Sequence, residues 1–445
     1  MAHVTRSDRW RLAPAALAFT ALVLLPCAAA AQGLADLYRA ALSGNPQLQS
    51  RGYDVDRARA ESDSARSRLL PQLSAQGSWS TNEYRDALVN EQSYGGQRAS
   101  LSARQALYDP ASVRRLEATQ STILQREQEM VQTRLALLGE VLDRYLQALT
   151  AQDDQASLGA ESQAASRQVD RLRAMSERQM AKVTDLAEAQ AYVRSLATRT
   201  IDAGNDQAVA LARLSELCGI PVKQVPALAR TTFEPIAGTQ QEWVASALRS
   251  HPRLLALTQA LDAARRSVEA SRAEHMPQVA ATFSRVYSDQ GYDNRQQPPY
   301  HSASLGVELR VPLYEGGRVD ASVRDAIARQ GVAEQQLEAA RREIERETLT
   351  SWLTARANHA RIGSTEAEVQ AFEQVVQAQE KGLELGVSRI TDVLDARRRL
   401  LKARADLYRA RYDFIRDVAA LKIRSGEVTD ADVDQWDRWF ASSGR

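Results

Sequence analysis

The sequence predicts a mixed α+β membrane protein built as two tandem helix–strand–strand–helix repeats. Three observations carry that class: an internal duplication, helical stretches too long for a compact domain, and four segments of two-residue alternation. The duplication comes first. "ALSGNP" at Ala41 and "ALRSHP" at Ala247 stand 206 positions apart, as do Pro71 and Pro277, and Leu107 of "LYDPASV" and Leu313 of "LYEGGRV". "VTDLAEAQ" at Val183 returns as "ITDVLDAR" at Ile390, 207 positions on. Four matches in one order at nearly one offset mark two copies of a single unit. The boundaries that follow are a first repeat at 32–218 and a second at 242–424. A linker at 219–241 carries Pro221, Pro226 and Pro235, and a polar C-terminal tail occupies 425–445.

Residues 1–31 read as a signal peptide. Arg6, Arg9 and Arg11 precede an apolar run from Leu12 to Leu25, and Ala29-Ala30-Ala31 offers a small-residue cleavage site. Pro26 before Cys27 argues against a lipid anchor. Removing three Arg and one Asp from 57 basic and 56 acidic residues leaves a mature net charge of about −1. That balance gives no reason to expect a nucleic-acid partner. Cys218 is then the one remaining cysteine, so no internal disulfide is expected, and it reads as a small buried apolar residue.

Each copy begins with a helix of about 35 residues that ends at Pro71 or Pro277. Two strands follow, at about 71–80 and 99–108 in the first copy and about 277–288 and 303–313 in the second. In the clearest of them, Leu305, Val307, Leu309, Val311 and Leu313 point one way while Gly306, Glu308 and Arg310 point the other. Leu73, Ala75, Gly77 and Trp79 make the same kind of face, as do Val279, Ala281, Phe283 and Tyr287, where Arg285 interrupts it. The segments between the strands, 81–98 and 289–302, are polar and read as loops. A long helical stretch then runs to about 180 or 387, and a last helix of about 34 residues closes the copy. Val131, Leu135, Leu138, Leu142, Tyr145 and Leu149 are spaced 4, 3, 4, 3, 4, a coiled-coil seam. A helix of about 70 residues is about 100 Å long, so these elements form a cylinder wall.

The strands fit either a lipid-facing barrel wall or a half-buried sheet packed on helices. Four strands cannot close a barrel, and an open sheet in lipid leaves unpaired edge groups at several kcal/mol each. Two chains give eight strands, which fill their own interior; three give twelve and leave a lumen. No HExxH, GxSxG, P-loop or GxGxxG sequence is present, and His251, His275, His301 and His359 lack ligand spacing, so neither an enzyme, a metal nor a cofactor is expected. A soluble periplasmic coiled-coil adaptor or scaffold is the alternative open to the helices. "GVSRITDVLDARR" places Asp392 and Asp395 three apart, on one helix face. Taken alone, they are an acid and base, half a metal site, or a surface pair with arginine partners such as Arg399. At the strand-to-helix corner, Pro312 ends a strand, and Gly316-Gly317 lets the chain turn into the long helix.

With these residues in hand, the chain resembles the TolC family of Gram-negative outer-membrane channels over nearly its whole mature length. The duplicated plan, "VPLYEGGRV" and "GVSRITDVLDA" carry the resemblance. It implies a homotrimer with a twelve-stranded barrel, four strands from each chain, continued by an α-helical periplasmic tunnel with the linker at its equator. It implies an exit duct for type I secretion or drug efflux, meeting an inner-membrane ABC or RND transporter through a periplasmic adaptor. It places Asp392, Asp395 and Asp185 at the periplasmic aperture. The family's latch tyrosine and arginine are replaced here by Leu383 and Ser388, leaving Arg389 as the candidate latch, and Gln179 stands where the family often has glycine. The adaptor-facing tip implied is Met180, Ala181, Lys182, Val183 and Thr184 with Gly386, Val387, Ser388, Ile390 and Thr391.

Overall fold

The computed structural model describes residues 32–86, 89–179, 182–230, 232–289 and 298–440. The expected signal peptide, and residues 290–297 of the second expected loop, lie outside that set. The first repeat contains α1 (Leu34–Gly44), α2 (Pro46–Ser67), β1 (Gln72–Asp86), β2 (Val89–Tyr108), α3 (Pro110–Glu177) and α4 (Val183–Cys218). The second contains α5 (Gln240–Ser250), α6 (Pro252–Ala273), β3 (Gln278–Ser288), β4 (Tyr300–Arg310), α7 (Arg318–Glu384) and α8 (Ile390–Ser425), and α9 (Asp430–Phe440) follows.

The first helix of each copy is broken, where the sequence predicted one piece. The breaks fall at Asn45-Pro46 and His251-Pro252. Proline lacks an N–H and pushes the preceding residue out of the helical region, and Asn45 (ψ 119°) and His251 (ψ 121°) are extended. Each then caps the helix it interrupts. Asn45 Oδ1 accepts from the Gln47 and Leu48 amides at 3.0 and 3.1 Å, and His251 Nδ1 accepts from the Arg253 amide at 3.1 Å. Burial, then nearby Arg253 and Arg424, push His251 down to about 4, so it holds that cap as the neutral ring.

The long helices follow the heptads. α3 has 68 residues and α7 has 67; α4 and α8 have 36 each. Leu138, Leu142, Tyr145 and Leu149 of the seam are buried, whereas Val131, nearer the sheet, stays exposed. Asp109 Oδ1 accepts from the Ser112 amide at 3.1 Å to start α3. Gly316 (φ +64°) and Gly317 (φ +82°) take the left-handed turn into α7 that side chains resist.

The four strands form one antiparallel sheet in the order β1-β2-β3-β4, leaving β1 and β4 as free edges. The central β2–β3 pairing joins the two repeats. Leu73, Ala103, Phe283 and Leu305 lie in one row on one face, and Ala75, Leu101, Arg285 and Ala303 lie two residues further out on that face. Between them, on the other face, runs a row of Ser74, Ser102, Ser284 and Ser304, with hydroxyl contacts of 2.7 and 2.9 Å. That face also holds the Arg104–Glu308 ion pair at 2.8 Å. All of β4 is exposed, with Leu305 at 82% and Val307 at 70%. The sheet is therefore not one packed on helices, since among the described residues most of its apolar side stays exposed.

The first hairpin is longer than its alternation predicted. β1 pairs with β2 as far as Asp86–Val89, so much of the expected loop at 81–98 is ladder. Alternation ends near Ser80 because both faces there are polar, yet the backbone bonds continue regardless of side chain. The tail also differs from expectation. Its α9 buries Val433, Trp436 and Phe440 against Leu34, Leu37 and Tyr145, forming the main core with α1, α3, α4 and α8. Cys218 is buried in that core, and burial pushes its thiol up to about 11, the state of an inert apolar residue.

Candidate functional site

The tip lies at the end of the helices away from the sheet, where α3 turns into α4 and α7 into α8. The second turn closes tightly. Gly386 adopts φ +74°, and the Gly382 carbonyl accepts from the Val387 and Ser388 amides at 2.9 and 3.1 Å. Gly382 was not singled out in the sequence, but a Cβ there would meet Ser388 Oγ at 2.2 Å. The first turn lacks such a glycine, and Gln179 takes φ +60°. A side chain in that region is strained by about 1–2 kcal/mol. Replacing Gln179 with Gly is expected to slow amide exchange over residues 182–190 about fivefold, a gain of about 1 kcal/mol, read by hydrogen–deuterium exchange. Unchanged exchange would show the turn is not strained.

Asp392 and Asp395 sit on one exposed face of the first turns of α8. Asp392 Oδ2 accepts from the Arg389 amide at 3.1 Å, a carboxylate on a helix N-terminus. Asp395 pairs with Arg398 at 2.8 Å, one residue short of Arg399. Asp185 lies in the first turn of α4, half-buried. It lines a groove of about 1050 Å³ between the two turns with Lys182, Thr184, Gly386, Val387, Ser388, Arg389, Ile390 and Thr391. Val183 is exposed beside it; Met180 and Ala181 lie outside the described residues. Among the described residues the Arg389 guanidinium makes no ion pair, and across the groove Arg171 meets Glu384 at 3.3 Å. The corner residues Pro312, Gly316 and Gly317 sit at the opposite end of α7 and take no part.

The shortest ion pair at the tip involves a residue the sequence did not single out. Arg397 Nη2 lies 2.5 Å from Glu380 on α7, and Arg397 Nη1 lies 3.7 Å from Glu161 on α3. The side chains of Arg397 and Glu161 are each only 15% exposed. Tyr192 of α4 donates its hydroxyl to Glu161 at 3.2 Å, and burial followed by Glu161 pushes that phenol up to about 12. Arg398 stacks over the Tyr192 ring at 5.7 Å, so the Asp395–Arg398 pair borders this network. Arg397 thus ties α8 to α3 and α7, and Glu161 passes the network on to Tyr192 of α4, beside the core cluster of Ile390, Leu394, Leu172 and Leu196. A second tie stands nearer the main core, where Tyr412 and Tyr408 of α8 donate to Asp153 and Asp154 of α3. Burial raises Asp153 above the usual carboxylate range. The adjacent aspartates and the i, i+4 tyrosines were its only sequence signal.

An uncovered apolar sheet with two open edges, set on a helical cylinder about 100 Å long, defines a chain that contributes a sector to an outer-membrane channel. The chain belongs to the outer membrane efflux protein family, which matches residues 37–220 and 243–427, one match to each repeat. It is 28% identical over 425 residues to the outer membrane protein TolC of Vibrio cholerae, covering 93% of this chain and 95% of that protein. It is likewise 28% identical to the alkaline protease secretion protein AprF of Pseudomonas aeruginosa, covering 93% and 88%. The solved outer membrane protein VceC of Vibrio cholerae superposes with a TM-score of 0.75 at 19% identity, over 88% of this chain and 96% of that one. These proteins are channels of the outer membrane, not enzymes, and the outer membrane is where this chain resides. That location overturns the soluble periplasmic alternative.

Proposed function

We propose that three copies of this chain form the exit channel of a tripartite export system. It conducts proteins or small molecules passively and is opened at its tip by a periplasmic adaptor and an inner-membrane transporter. The observation that carries this is the open four-stranded sheet. Its β1 and β4 edges need partners in lipid, and further copies of the same chain supply them at twelve strands with a lumen. Lys182, Val183 and Thr184 with Gly386, Val387, Ser388, Ile390 and Thr391 form the adaptor-facing surface, Asp185 stands with Asp392 and Asp395 at the aperture, and Arg389, without an ion pair among the described residues, is the candidate latch to a neighbouring copy. One of the relatives, AprF, is named for alkaline protease secretion, which favours a protein among the cargoes.

Around a threefold axis, Asp392 and Asp395 become two stacked rings of three carboxylates, which attract cations. Neither makes a buried contact that would assign it a packing role. In planar bilayers, Asp392→Ala with Asp395→Ala is expected to raise the half-blocking concentration of a trivalent cation about tenfold. The same block in a correctly inserted double variant removes both residues from the pore. Absence of an oligomer from unheated gels of outer-membrane fractions overturns the channel itself.

A further inference from the structure

Arg285 breaks the apolar face of β3, and its surroundings give the break a direction. On that face the rows nearest the helices are apolar and uncharged: Val279 with Leu309, Ala281 with Val307, then Phe283 with Leu305. The next row holds Arg285 between Leu101 and Ala303. The row beyond it holds Tyr287 and His301, whose rings lie 5.0 Å apart. Trp79, 79% exposed, leans back over Gly77 at that same level. The character of the face therefore changes within two rows, from purely apolar to basic and then to rings that carry polar groups.

The change falls where a membrane would require it. Leu305 to Leu313 spans about 27 Å of extended chain, or about 20 Å across a bilayer at barrel tilt, close to the apolar band of such walls. Arg285 stands just past its outer edge, three residues from the outer end of β3. A guanidinium facing hydrocarbon is costly unless it reaches headgroups or finds an anion. Arg285 is exposed and, among the described residues, makes no hydrogen bond, ion pair or ring contact. Arg104, which pairs with Thr282 three residues along β3, already holds Glu308 on the opposite face. Lying on an inner strand, Arg285 is not covered by edge pairing to another copy.

We infer that Arg285, with Tyr287 and His301 in the next row and Trp79 two strands away, is a lipid-facing docking site for the phosphate of a phosphorylated glycolipid in the outer leaflet. The guanidinium supplies a forked pair of donors to the phosphate oxygens. The indole and phenol rings lie at the depth where headgroup meets acyl chain. Free phosphate lacks the acyl chains that would hold it against this face, which is why the occupant is a lipid. This inference rests on the outer-membrane location and not on what the channel carries.

The test is native mass spectrometry of the full-length assembly, extracted in mild detergent and titrated with bis-phosphorylated lipid A, its dephosphorylated form, or phosphatidylglycerol. Wild type is expected to retain the phosphorylated glycolipid about tenfold better than the dephosphorylated one, the scale of a charge-assisted hydrogen-bonded pair. Arg285→Gln is expected to abolish that preference, and Arg285→Lys, which keeps the charge but not the fork, to restore only part of it. Arg104→Gln, on the opposite face, is expected to leave it unchanged. No preference in the wild type, which needs no variant to fold, overturns the proposal. Equal retention by Arg285→Gln also overturns it, and phosphatidylglycerol retained as well as the phosphorylated glycolipid overturns the glycolipid assignment. Channel conductance plays no part in the readout, so failure here leaves the proposed export function standing.

Discussion

Truncation after Gly426 is expected to remove the heat-resistant oligomer from the outer membrane, and Trp436→Ala alone to lower stability by about 3–5 kcal/mol. The reason lies in the main core. Trp436 and Phe440 are among its largest fully buried side chains, and the Phe440 ring stands 4.8 Å from that of Tyr145. The Trp439 carbonyl accepts from the Ala229 and Arg230 amides at 2.8 and 3.2 Å, so α9 also fixes the linker between the repeats. Asp437 Oδ1 accepts from the Ala35 amide at 3.3 Å, at the start of α1, and Lys422 pairs with Asp432. Loss of α9 thus exposes Leu34, Leu37 and Tyr145 and frees two backbone segments at once. Total folding stability is about 5–15 kcal/mol, so the truncation removes a large share of it. Urea unfolding followed by tryptophan fluorescence measures the point variant, and unheated gels report the truncation. A truncated chain that assembles normally would falsify the central place given to α9.

The second large effect is expected at Arg397. Arg397→Met keeps the stem but leaves Glu161 and Glu380 without their cation. Breaking a fully buried pair costs about 3–5 kcal/mol. Glu380 is 42% exposed, so about 2–3 kcal/mol is the expected loss, felt locally where α3 and α4 meet α7 and α8. Amide exchange at residues 158–172 is expected to accelerate by more than tenfold while the main core keeps its protection. A double-mutant cycle with Glu161→Gln is expected to show coupling of about 1 kcal/mol or more. If the two changes simply add, the guanidinium is not the staple described here.

How much of this was legible depended on the range of each interaction. The duplication, the Gly316-Gly317 turn and the alternation of Leu305 to Leu309 are local, and each could be read as a pattern. The breaks at Pro46 and Pro252 were equally local but were overridden by the helical period on either side. α9 was hidden by composition: four aspartates among its eleven residues masked the spacing of Val433, Trp436 and Phe440. The Arg397 network was out of reach, because Glu161 lies far away in the chain and neither residue departs from an ordinary charged helix face. Tyr408 and Tyr412 meet aspartates more than 250 positions away for the same reason. For the aperture aspartates, the shared helix face was readable, whereas a ring is a property of several chains.

The matched helix lengths carry a consequence for how such a chain can change over evolutionary time. α3 and α7 differ by one residue, and α4 and α8 not at all. One residue is about 1.5 Å of rise, so both turns finish at nearly one height. A heptad inserted into α3 alone would push its turn about 10 Å past the other and slide Glu161 away from Arg397. Insertions and deletions are therefore tolerated only as a set, in both long helices and in both that return from them. The duplication that made the protein also turned its length into a trait inherited in four places at once.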